Sequence, residues 1–146
     1  MISAIVISFY DHNYIKECIS SLAFVDDIII VGKIDSVVLS EIEHKNPVQF
    51  IESETLDFDF LFEKTYSKAS HDWIVVLEAN HCIPVQLAEE ITEIVLNTDS
   101  TGNYKVKTRF MFMGKFLKFS GYRSSYTPLI LHKKSIKSKP NGYNGT

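Results

Sequence analysis

Trp73-Ile-Val-Val-Leu-Glu-Ala-Asn-His-Cys-Ile-Pro-Val-Gln-Leu-Ala-Glu-Glu-Ile-Thr-Glu-Ile-Val-Leu-Asn97 contains a strand, a polar break and a helix in direct succession. Residues 73–77 are continuously apolar and rich in β-branched side chains, as a strand covered on both faces of a parallel sheet requires. Glu78, Asn80 and His81 interrupt the run. From Pro84, which suits a first helical turn, Leu87, Ala88, Ile91, Ile94 and Val95 recur at helical spacing while Glu89, Glu90 and Glu93 fall on the opposite side.

The same alternation occurs upstream. Residues 3–9, 27–31 and 48–51 are further short apolar runs. Between them, 13–23 places Ile15, Cys18, Ile19 and Leu22 on one helical stripe; 36–45 does so with Val38, Leu39 and Ile42, and 59–70 with Phe60, Tyr66 and Ala69 as packing positions. Strand and helix alternating four times predict an α/β fold: an open, mostly parallel, Rossmann-like sheet with helices on both faces and right-handed crossovers. After Asn97 the pattern becomes strand-rich, with strands over 103–113, 116–119 and 126–132 and a turn at Gly114-Lys115. Residues 1–132 read as one domain. Residues 133–146 read as a loosely ordered polar tail, whose lysines 133, 134, 137 and 139 would need a second anchor to hold a membrane surface.

A chain of 146 residues supports one hydrophobic core. Its 45% hydrophobic and 23% charged residues match a folded globular protein, and a net charge of −3 argues against a general binder of nucleic acid polymers. The opening Met1-Ile-Ser-Ala-Ile-Val-Ile-Ser8 lacks a basic leader and runs into Asp11 and His12, so it reads as a strand rather than a secretion signal. No run approaches the roughly 18 apolar residues of a membrane span. The expectation is a soluble, cytoplasmic protein, or one peripheral at the inner face of the membrane. Cys18 and Cys82 have no metal-ligand spacing and read as reduced, buried thiols.

In an open parallel sheet, ligands bind beyond the carboxyl ends of the strands where strand order reverses. With the first and fourth strands as neighbours, Ser8-Phe-Tyr-Asp-His12 and Glu78-Ala-Asn-His81 line that crevice. A carboxylate, an amide oxygen and an imidazole there suit a divalent cation bridging a diphosphate. The plain alternative is a structural turn, since polar residues cap almost every strand. Histidines 12, 44, 71 and 81 are each more commonly locally hydrogen-bonded than ligating. Glu52, Glu54, Asp57, Asp59 and Glu63 read as a solvated face, with Asp59 as a helix cap. Phe110, Phe112, Phe116, Phe119, Tyr122 and Tyr126 fit a core-facing strand better than a sugar-stacking surface.

These segments resemble family 2 glycosyltransferases of the GT-A fold. Ile2–Tyr10 is similar to the family's opening strand, Ile15–Leu22 to the helix after it, and Val25–Val31 to the second strand. Lys68–Asn80 resembles the segment leading into an Asp-x-Asp motif, and Thr108–Tyr122 with Leu129–Lys133 resembles the late strands of the bacterial lipopolysaccharide core glucosyltransferase subgroup. The resemblance implies inverting transfer from a nucleotide sugar to a saccharide or lipid-linked acceptor in cell-envelope polysaccharide or lipopolysaccharide synthesis. It implies Ser8, Tyr10, Asp11 and Glu78 on the nucleotide sugar, and Asn80 and His81 near Mg²⁺ or Mn²⁺. Three positions depart from the pattern: Gly32 stands where an acidic residue ends the second strand, Glu78-Ala79-Asn80 replaces Asp-x-Asp, and Phe62 falls near the place of a basic residue. No general base carries over. A catalytically silent relative, serving as a binding or scaffolding module and pairing as a homodimer through its late strands, is the alternative, and a fragment of a longer enzyme is a third.

Overall fold

The computed structural model describes residues 1–9, 13–55, 57–97, 99, 101–107, 111–112, 115–116 and 126–136, with backbone only for 58, 107, 111–112, 115–116 and 126–129. Strands β1 (Ile2–Ser8), β2 (Asp27–Gly32), β3 (Val48–Glu52) and β4 (Trp73–Glu78) pair in parallel. β5 (Tyr104–Lys107) and β8 (Tyr126–His132) extend the sheet antiparallel, giving the order β3-β2-β1-β4-β8-β5. β6 (Met111–Phe112) and β7 (Lys115–Phe116) pair antiparallel as a two-stranded sheet. Strand order thus reverses between β1 and β4.

Every residue of β1 is buried, because alternate side chains feed two cores. Ile2, Ala4 and Val6 meet α1 (Ile15–Ser21) and α4 (Val85–Leu96) through Ile15, Cys18, Ile19 and Ile91, with Leu87, Ala88, Ile94 and Val95 packed alongside. Ile5 and Ile7 meet α3 (Phe58–Tyr66) through Leu61 and Phe62, with Ala69 nearby. The continuous apolar run in β1 is therefore the direct consequence of helices on both faces.

The helix expected over 36–45 is confined to α2 (Ser36–Ser40), which has no buried residue. The chain beyond it is tied down by side chains: His44 Nε2 lies 3.1 Å from the Leu22 carbonyl, and the Asn46 amide donates to the Val25 carbonyl at 2.8 Å. In α3 the cap is Asp57, not Asp59; its Oδ1 accepts from the Phe60 N–H at 2.9 Å. This cap fixes the helix phase so that Leu61 and Phe62 are buried while Phe60, expected to pack, is 50% exposed. The helix ends at Tyr66, whose ring stacks on Phe62 at 5.6 Å.

Of the long strand expected over 103–113, the described residues show β5 and β6, residues 108–110 lying outside the description, and Lys115, expected in a turn, pairs with Phe112. The side chains of the aromatic group from Phe110 to Tyr126 lie outside the described residues. The expected tail begins with a 3₁₀ turn, Lys133–Ile136. Lys133 donates its backbone N–H to the Asp72 carbonyl at 2.8 Å and its Nζ to the Ala69 carbonyl at 2.6 Å, so the folded part extends past residue 132. Residues 137–146 lie outside the description. Among the described residues, no helix is long and apolar enough to cross a membrane.

At the amino ends of the strands, Asp27 gathers three neighbours. Ser3 Oγ donates to its Oδ1 at 2.5 Å, Ser70 Oγ donates to its Oδ2 at 3.0 Å, and His71 Nε2 lies 3.7 Å from Oδ1. The His71 N–H donates back to Ser3 Oγ at 3.0 Å. This network ties β1, β2 and the entry to β4 at the end of the sheet opposite the candidate site.

Candidate functional site

At the carboxyl end of β1, Ser8 is fully buried and donates its hydroxyl to the Lys33 carbonyl at 2.6 Å. Lys33 returns its N–H to the Ser8 carbonyl at 2.9 Å. Between them Gly32 has φ +122°, and a Cβ built there would stand 2.0 Å from the Ser8 carbonyl oxygen. The position where the resemblance implies an acidic side chain therefore has no room for any side chain. The Gly32 carbonyl accepts from the N–H of the buried Ser53 at 2.9 Å, carrying the same close packing toward β3. Lys33 reaches the rim, where its Nζ lies 2.7 Å from Glu54.

β4 supplies the other wall. Glu78 stands in register with Ile7, and the Ala79 N–H donates to the Ile7 carbonyl at 2.9 Å, extending the ladder one residue beyond the strand. The His81 N–H then donates to the Glu78 carbonyl at 3.0 Å, closing a turn that brings the imidazole within electrostatic reach of the Glu78 carboxylate. Cys18 Sγ lies 3.8 Å from the same carbonyl, and Ser21 Oγ accepts from the Ile83 N–H at 3.0 Å, so α1 holds this loop from below. Ala79 and Ile83 are buried, Glu78 and His81 half-buried, and Asn80 exposed.

Burial holds the His81 imidazole below its ordinary pKa, and the Glu78 carboxylate pulls it part of the way back. A neutral imidazole beside a carboxylate offers a hydrogen-bonding pair at neutral pH. Cys18 is buried as expected, and burial, then the neighbouring Cys82, push its thiol pKa well above the ordinary range. Cys82 is exposed, contrary to expectation, because Ile83 takes the inward place in the loop.

The structure thus brings Glu78, at the end of β4, together with Asn80 and His81 in the turn that follows, with the buried Ser8 at the end of the adjoining strand. Tyr10 and Asp11, with His12, lie outside the described residues. His44 and His71 stay apart from the site in structural hydrogen-bonding roles. The part played by Gly32 and Ser53 was missed in sequence; a glycine directly after an apolar run was the available signal for the first. Among the described residues, no three His, Cys, Asp or Glu side chains converge as a metal centre. The donors available to a cation here are one carboxylate, one amide and one imidazole.

No family model matches the chain. Its fold is similar to residues 1–349 of TarS from S. aureus (TM-score 0.57, 15% identity, 68% of this chain and 33% of that one). It is similar to HddC from Yersinia pseudotuberculosis (TM-score 0.58, 11% identity, 96% and 80%). It also resembles 4-diphosphocytidyl-2C-methyl-D-erythritol synthase from Anaerococcus prevotii (TM-score 0.50, 15% identity, 92% and 72%). The chain spans about a third of the TarS segment. At these identities the likeness is one of fold, and the fold is a GT-A-like, Rossmann-like α/β sheet with helices on both faces.

Proposed function

We propose that the chain binds a nucleotide sugar in the crevice beyond β1 and β4, as the donor-binding domain of an inverting glycosyltransferase of cell-envelope polysaccharide or lipopolysaccharide synthesis. The observation that carries this reading is the Glu78–His81 pair at the reversal of strand order, where a sheet of this kind opens to ligands. The name of one fold neighbour includes a diphosphocytidyl group, which favours a nucleotide in this crevice and is equally compatible with nucleotidyl transfer. In this reading the Glu78 carboxylate accepts hydrogen bonds from donor hydroxyls, and the neutral His81 donates to a phosphate or sugar oxygen. The Ser8–Gly32–Lys33 contact keeps the floor rigid.

The donor set suits a hard cation only in part, as one carboxylate is the least such an ion takes from protein when phosphates supply the rest. Glu78 and the Asn80 amide oxygen would hold Mg²⁺ or Mn²⁺ arriving with the nucleotide. When bound, the ion would neutralise charge on the diphosphate. The acceptor, a saccharide or a lipid-linked glycan, would meet the donor on the side of the late strands.

Thermal unfolding with nucleoside diphosphates, nucleotide sugars and CTP, with and without Mn²⁺, tests this reading. A ligand at about 100 times its Kd adds roughly 2.7 kcal/mol, which raises the midpoint by several degrees in a chain of this size. A shift with one nucleotide sugar supports the donor site. A shift with CTP alone redirects the reading to nucleotidyl transfer. The amide of Asn80 in a carboxylate's place favours a second reading, a silent binding module, which no shift with any nucleotide, together with a dimer in light scattering, would support instead.

A further inference from the structure

The charges of this chain are segregated along its length. All 18 Asp and Glu lie within residues 1–99, together with five Lys and Arg, whereas residues 101–146 hold ten Lys and Arg and no acidic residue. The two parts carry −13 and +10. The fold turns part of this into a spatial division, because β8 and β5, which hold Lys105 and Lys107 and no carboxylate, lie on one side of the sheet, beyond β4, with β5 at its edge. Lys105 on β5 and Lys134 in the 3₁₀ turn are both exposed. A hydrogen bond from Ser135 to Asn103 ties that turn to the start of β5 and keeps the two cations on one border of the molecule.

We propose that this border docks on the surface of an anionic phospholipid bilayer. Lysine on an edge strand also discourages edge-to-edge pairing, and that accounts for Lys105 and Lys107. It does not account for the exclusion of every carboxylate from residues 101–146. Eight of the ten cations are Lys, a residue depleted in protein–protein interfaces and suited, as a hydrated point charge, to a diffuse anionic surface. The acidic remainder of the chain need not repel the bilayer, since its field decays over a Debye length of about 8 Å. Lys133 is left out of the docking set because its Nζ is engaged with the Ala69 carbonyl.

The inference stands apart from the nucleotide-sugar reading, and its test uses no nucleotide. The full chain is floated with phosphatidylcholine vesicles containing about 30 mol% phosphatidylglycerol and with pure phosphatidylcholine vesicles. The expected result is at least about ten-fold stronger binding to the anionic vesicles, lost at roughly 0.5 M salt. Lys105→Glu with Lys107→Glu and Lys134→Glu should weaken binding about ten-fold, whereas Glu43→Lys with Glu52→Lys, before and on β3 at the opposite edge of the sheet, should change it less than about two-fold. Should the triple variant melt abnormally, Lys105→Ala with Lys134→Ala replaces it, with an expected loss of about three-fold. The proposal is overturned by equal binding to neutral vesicles, by no binding to anionic ones, or by charge variants that act through net charge wherever they are placed. It is equally overturned if an RNA oligonucleotide binds while the vesicles do not.

Discussion

Ser8 and Lys33 hold each other by two reciprocal hydrogen bonds, the Lys33 N–H to the Ser8 carbonyl at 2.9 Å and the Ser8 hydroxyl to the Lys33 carbonyl at 2.6 Å. The bonds close the carboxyl end of the β1–β2 ladder and require Gly32 between them to adopt φ +122°. The Ser8 hydroxyl proton, beside the candidate site, is thereby given to the backbone at the end of β2.

Gly32→Ala should destabilise the fold by about 2–4 kcal/mol, since it adds a strained φ to a steric collision with the Ser8 carbonyl. Ser8→Ala, which removes a buried hydrogen bond to the Lys33 carbonyl, should cost about 1–2 kcal/mol. Urea unfolding of both variants checks the order; an alanine tolerated at position 32 would contradict the geometry.

Glu78→Ala should remove nucleotide-sugar binding while leaving the fold intact, because the side chain is half-buried and the strand pairing at this position is made by backbone. Isothermal calorimetry compares the variant with the parent chain. Unchanged affinity would remove Glu78 from the site.

Acid should destabilise the protein through His81. Burial holds its folded pKa below the unfolded value near 6.5, so as pH falls through about 6.5 the unfolded chain takes up the proton first and stability drops until the folded pKa is reached. Melting curves between pH 7.5 and 5, taken as an approximate range, should lose part of their slope in His81→Gln. A parallel pH profile in the variant would show that other groups govern this window.

Leu61→Ala should cost about 2–4 kcal/mol by opening a cavity under α3, whereas Phe60→Ala, one residue earlier, should stay within about 0.5 kcal/mol. The contrast tests the helix phase fixed by Asp57, and equal losses at the two positions would mean a different phase.

Under native conditions a thiol reagent should modify Cys82 and spare Cys18, which is buried and held in its thiol form. Mass spectrometry of the labelled chain counts the adducts. Two adducts before unfolding would show that the loop over α1 opens.

The sequence by itself determined the alternation of elements, because two-sided burial leaves unbroken β-branched runs in β1, β2 and β4, and one-sided burial leaves the stripe Leu87, Ala88, Ile91, Ile94 and Val95 in α4. It also located Glu78, Asn80 and His81 beyond a strand end, since topology assigns ligands to that edge. Short-range pattern failed where burial was decided at a distance. Phe60 and Leu61 are both apolar, and only the Asp57 cap and the facing sheet choose which turns inward. The helix expected over 36–45 stops at Ser40, and bonds from His44 and Asn46 to the carbonyls of Leu22 and Val25, more than 20 residues away in the chain, hold the residues after it in another conformation. Lys133 read as a tail cation until β8 placed it against Asp72 and Ala69. Periodicity records which face of an element is covered; which element covers it, and which backbone groups meet there, arises only when the chain is closed into a sheet.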